Sequence, residues 1–123
     1  MMEPESSSME RNGWVLLSAE VRHLQHPKTF RIPPRCDRET LSMGDAAQLL
    51  FDIETREGDR VIDRGVDRMW VIVKSREGNR YTGVLDSDPG FAEGLSLRQG
   101  DEVIFSPEHV IAISRPPKDY VLD

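Results

Sequence analysis

The run Met69-Trp70-Val71-Ile72-Val73-Lys74, then Glu77-Gly78-Asn79, then Tyr81-Thr82-Gly83-Val84-Leu85 most narrows what this chain can fold into. Two runs rich in β-branched and aromatic residues about a Gly-Asn turn predict a β-hairpin. Side chains alternate along a strand, so Met69, Val71 and Val73 share one face while Trp70, Ile72 and Lys74 share the other. The first set is the expected core. Trp70 then has two readings: part of a second core against an N-terminal helix and Trp14, or an exposed aromatic anchor for a partner. The turn-formers Asp86-Ser87-Asp88-Pro89-Gly90 end the hairpin.

Other segments extend the pattern. A strand is expected over residues 46–54, centred on Leu49-Leu50-Phe51, and two more over residues 102–105 and 109–113, separated by Ser106-Pro107-Glu108. Gly44-Asp45 and Gly100-Asp101 each form a polar corner leading into a strand. Upstream, Trp14, Leu17, Val21 and Leu24 recur at three- and four-residue steps. That spacing predicts one face of a helix, capped by Asn12 and stopped by Pro27, in competition with a strand over residues 14–17. Phe30-Arg31-Ile32-Pro33-Pro34 is an extended connector, and Asp37 is expected to cap a single helical turn through Leu41. The sum is an α+β fold. An N-terminal helix would pack on a small, strongly bent antiparallel sheet, which closes most readily as an SH3-like barrel of about five strands. Residues 1–11, polar and rich in Ser and Glu, are expected to be a disordered tail, residues 12–115 one domain, and residues 116–123 a C-terminal tail.

Charge and cysteine usage limit the function classes. With 123 residues and 37% hydrophobic content, the chain can build one modest core. A formal charge of -6 makes it a poor polyanion binder as a whole, so no nucleic-acid partner is expected. No apolar run approaches the ~20 residues that cross a bilayer, and none near the N-terminus resembles a signal peptide, so no membrane role is expected. The lone Cys36 excludes an internal disulfide and suits a reducing, cytoplasmic setting.

Charge is unevenly placed. Arg22, Lys28, Arg31, Arg35 and Arg38 are opposed locally only by Asp37, whereas acids dominate from Asp86 onward. The expected outcome is mutual attraction of the basic arm and the acidic half within the fold, the rival being an acidic surface that steers a cationic partner. Residues 59–68 repeat Asp-Arg every four residues. In a strand, all their arginines fall on one face, and a solvated loop or edge ribbon with self-paired charges is the expected state.

Motifs that carry chemistry are weak. His23 and His26 have a metal-compatible spacing, but a satisfied pair beside a helix end explains them better. Asp86-Ser87-Asp88 opens like a calcium loop, yet Phe91 and Leu97 stand where such a loop needs Gly and Glu. No nucleophile elbow or phosphate-binding Gly-rich loop occurs. The expectation is no catalytic residue, no metal and no cofactor.

Several of these segments carry a resemblance. Asp67-Arg68-Met69-Trp70-Val71, Gly83-Val84-Leu85-Asp86-Ser87-Asp88-Pro89, Gly100-Asp101-Glu102-Val103-Ile104-Phe105 and His109-Val110-Ile111 look like a family of small bacterial domains to which no activity is assigned. Ser87 stands where that family more often has Asn, and the charged loop 54–68 is longer than its usual form. Some similar domains occur among immunity proteins of bacterial toxin systems, and the resemblance implies a protein-binding role by association.

The function expected is therefore a non-catalytic protein-binding module, immunity-type or an accessory partner, facing another protein of basic character. Its binding residues would be Trp70, Asp86, Asp88 and Pro89, with Pro89 fixing the turn carboxylates. The alternative is a small hydrolase with dispersed acidic catalytic residues. Oligomeric state is left open by the sequence.

Overall fold

The computed structural model describes residues 13–87 and 97–115. The two expected tails and the turn residues Asp88, Pro89 and Gly90 lie outside the described residues.

The elements run β1 (Trp14–Leu16), α1 (Ala19–Gln25), α2 (Arg35–Arg38), β2 (Ala46–Glu57), β3 (Arg60–Glu77), β4 (Arg80–Leu85), β5 (Glu102–Phe105) and β6 (Val110–Ser114), with a 3₁₀ turn, Pro107–His109, before the last strand. All strand pairs are antiparallel. The order is β1-β2-β3-β4-β5, and β6 returns to pair with β2, so the sheet curls into a half-barrel. β1 and β6 share one edge of β2 in tandem: β1 covers Phe51–Ile53 and β6 covers Ala46–Leu49.

Register explains the core. Leu49 lies opposite Met69, Ala47 opposite Val71, Val71 opposite Leu85, and Tyr81 opposite Phe105. All are buried on the concave face, with Trp14 and Phe51 in ring contact at 5.5 Å between centroids. The alternation expected for Met69, Val71 and Val73 holds. Gly58-Asp59 and Gly78-Asn79 close the two hairpins.

The Gly-Asp corners are near copies of each other. Gly44 and Gly100 have φ of +94° and +96°, a region that only glycine enters without strain. In each corner the aspartate Oδ2 accepts an amide three residues back, from Ser42 at 2.8 Å and from Arg98 at 2.9 Å. Each corner also exchanges two backbone hydrogen bonds with a strand residue, Val73 in one case and Leu85 in the other. They tie the segments that lead into β2 and β5 to β3 and β4.

The N-terminal segment departs from expectation. Trp14–Leu16 is a strand, and the helix is confined to Ala19–Gln25. Ser18, not Asn12, caps the helix, its hydroxyl accepting the Val21 amide at 3.2 Å. Val21 is 52% exposed and Leu24 78%, so the stripe Trp14, Leu17, Val21, Leu24 is not a packing face. The physical reason is pairing at a distance: Trp14 to Leu16 gain a ladder on Ile53 to Phe51 that local periodicity cannot weigh. Ala19 alone of α1 is buried, against Leu50 and Ile111 on the convex face, joined by Leu17, Phe30 and Ile32. α2 likewise begins at Arg35, after Pro34, rather than at Asp37.

Candidate functional site

The hairpin brings two of the expected binding residues together. Near the turn Glu77 faces Arg80, but a bulge between Val73 and Ser75 shifts the register, so that Val71 faces Leu85. Trp70 is thereby set against Asp86. The Trp70 carbonyl accepts the amides of Asp86 at 2.9 Å and Ser87 at 3.3 Å, and the Trp70 amide donates to Ser87 Oγ at 2.8 Å. From the other side Gln99 Nε2 donates to the Asp86 carbonyl at 2.8 Å. Asp86 and Ser87 are thus held between a strand and the Gly100 corner, and the Asp86 side chain is left exposed. Asp88 and Pro89 lie outside the described residues.

Trp70 is half-buried on the convex face. It belongs to neither apolar cluster. The second core expected to join it to Trp14 and the helix is not formed, because Trp14 enters the concave face through β1 while the segment 17–32 covers Leu50 instead. Beside Trp70 stand Gln48 on β2 and then the row Ala46, Ile72, Val84, all half-buried, ending at the Lys74–Glu102 ion pair. An apolar centre with Asp86 and an ion pair on its rim has the anatomy of a contact surface.

The expected attraction of the basic arm to the acidic half takes another form. Arg35 pairs with Glu39 and Arg38 with Glu20, both within residues 20–39. Arg38, 5% exposed, also donates to the carbonyls of Pro33 at 2.9 Å and Pro107 at 2.8 Å. Among the described residues no ion pair joins Arg22, Lys28 or Arg31 to an acid.

The Asp-Arg repeat is part of β3, in a ribbon with the end of β2, and its residues are exposed. The expected single face of arginines is only partly formed: Arg64 and Arg68 share a face, but the bulge opposite Thr55 and Arg56 turns Arg60, paired with Glu57, to the other. Arg64 pairs with Asp52 of β2 at 2.9 Å rather than with its own neighbours. That partner holds the Arg64 pKa above its ordinary value, first by hydrogen bonding and then by charge.

One further cavity, of about 380 Å³, is lined by Leu16, Arg80, Ser106, Glu108 and His109 among others. Ser106 Oγ lies 3.3 Å from His109 Nδ1, and Glu108 Oε1 lies 3.3 Å from Nε2. The arrangement looks like a hydrolytic triad but is built as a helix cap. Ser106 N–H donates to Nδ1 at 3.0 Å, so the lone pair a general base would use is already engaged. The sequence reading missed this capping box; Ser106 followed three residues later by a hydrogen-bonding side chain was its signal.

Among the described residues no three His, Cys, Asp or Glu side chains gather as a metal site, and no helix is long and apolar enough to cross a membrane. No protein-family model, curated protein or solved structure matches the chain.

Proposed function

We propose that this chain is a non-catalytic protein-binding module whose contact surface is the convex band Trp70, Ile72, Val84 with the Asp86 turn at its rim. One observation carries it: both backbone groups of Trp70 are hydrogen-bonded to Asp86 and Ser87. A half-buried aromatic and an exposed carboxylate are therefore held on one rigid element, which lowers the ordering cost of binding. Asp88 and Pro89 follow Ser87 directly in the sequence. The acidic rim favours a basic partner, such as a nuclease-like toxin whose cationic groove the domain would cover in an immunity-type or accessory role. The resemblance to small bacterial domains, some of them immunity proteins, points the same way, and the lone Cys36 suits a cytoplasmic setting. The meander β2 to β5, the 3₁₀ turn and the return of β6 to β2 support an SH3-like barrel as the scaffold.

The test is affinity capture from the source cells with the full chain, followed by titration of the captured protein after purification. Trp70→Ala and Asp86→Lys should each abolish capture of one basic protein while thermal unfolding stays within a few degrees of wild type. Equal capture by both variants, or capture of acidic proteins only, overturns this choice of surface.

A further inference from the structure

On the same convex face, next to Trp70 along β3, a second cavity of about 290 Å³ opens, lined by Lys28, Thr29, Phe30, Arg31, Arg68 and Ile111. The guanidinium carbons of Arg22 and Arg68 lie 5.9 Å and 5.8 Å from the centroid of the same Phe30 ring. Cation–π contact of this kind holds a guanidinium in place without neutralising it. Arg35 and Arg38 of the same arm, and Arg64 of the same repeat, each have a carboxylate within 4.0 Å. Among the described residues Arg22, Lys28, Arg31 and Arg68 have none. Strand alternation sends Asp67, the acid next to Arg68, to the opposite face of β3. Three of these cations, Lys28, Arg31 and Arg68, thus line one cavity, with Arg22 against the same Phe30 ring, in a chain whose formal charge is -6. Like charges gathered without counter-charge raise the local potential, and an anion between them relieves that repulsion.

We propose that this cavity binds the phosphoryl group of a small phosphate monoester. Planar guanidiniums from Arg31 and Arg68 suit paired hydrogen bonds to phosphate oxygens, and Lys28 adds a compact point charge. A dianion answers several cations better than a single carboxylate does. Phe30 and Ile111, both tied to the Leu50 cluster, give the cavity a fixed floor.

The experiment is a ¹H–¹⁵N NMR titration of the full chain with inorganic phosphate and with glycerol 3-phosphate, at ionic strength matched by sodium chloride. Saturable shifts should be confined to residues 28–31, Arg22 and Arg68, for both ligands. Arg31→Gln and Lys28→Gln should each weaken binding by about tenfold, roughly one charge-assisted hydrogen bond. Arg60→Gln removes the same charge from the same strand, eight residues and roughly 26 Å away, and should change nothing. Shifts that never saturate, a loss with Arg60→Gln equal to that with Arg31→Gln, or saturation by inorganic phosphate with exclusion of the ester overturns the proposal.

Discussion

The Trp70 amide donates to Ser87 Oγ at 2.8 Å, a side-chain bond that closes the end of the β3–β4 ladder just where main-chain pairing stops. Ser87→Ala deletes the acceptor and leaves a half-buried N–H without it. The expected cost is about 1 kcal/mol, read as a lower urea midpoint at unchanged slope. Ser87→Asn restores an acceptor and should recover most of the loss. Equal stability of the alanine variant and wild type would show that water replaces the hydroxyl.

Tyr81 links the sheet to the connector that carries α2. Its buried hydroxyl donates to the Arg38 carbonyl at 2.9 Å and accepts the Leu41 amide at 3.2 Å. Tyr81→Phe keeps the ring against Phe105 but strands a buried N–H and a carbonyl. A loss of about 1–3 kcal/mol is expected in chemical unfolding.

How much of this was legible depended on the range of the interactions. The β3–β4 hairpin could be read because alternation and the Gly78-Asn79 turn are local signals. Its bulge could not, and without that shift Trp70 would face Ser87 instead of Asp86. Trp14–Leu16 was misread because a three-residue strand owes its state to Phe51–Ile53, far along the chain. The outward length of β3 was hidden for a related reason: Asp-Arg repeats with Gly65 look like a loop until residues 52–57 supply a partner. At the site, the hairpin pattern places Trp70 near the turn carboxylates, and the fold bonds its backbone to Asp86 and Ser87 directly. The cationic cavity was not foreseen, since the sequence shows a basic arm but not that Arg68 meets it at Phe30.

Gly83 is set by space rather than by backbone conformation. A Cβ there would stand 3.1 Å from Val71 Cγ2, 3.2 Å from the Ile72 carbonyl oxygen and 3.2 Å from Phe105 Cε1. The ring and the carbonyl belong to the packed sheet and yield little. Gly83→Ala should therefore destabilise by about 1–3 kcal/mol, despite the usual preference for alanine over glycine within regular structure. A thermal midpoint at or above wild type would mean that the β4–β5 contact relaxes more easily than its packing suggests.

His109 supplies the last prediction, a dependence of stability on pH. Burial lowers its pKa below the ordinary value, with Glu108 and Glu20 opposing that shift. Its Nδ1 accepts the Ser106 amide, a bond that only a ring with an unprotonated Nδ1 can accept. The unfolded chain regains an ordinary histidine pKa of about 6.5, so below that pH it binds a proton more readily than the folded chain. The stabilising contribution is complete above about 6.5 and declines as the pH falls from there toward the lower folded pKa. His109→Gln isolates this effect. A glutamine oxygen can accept the same amide, as in an ordinary capping box, and it does not titrate. Between about pH 7 and pH 5, wild type should therefore lose more stability than the glutamine variant, while carboxylates and the other histidines act alike in both. Parallel curves of unfolding free energy against pH would show that His109 is protonated in the fold as easily as in the open chain.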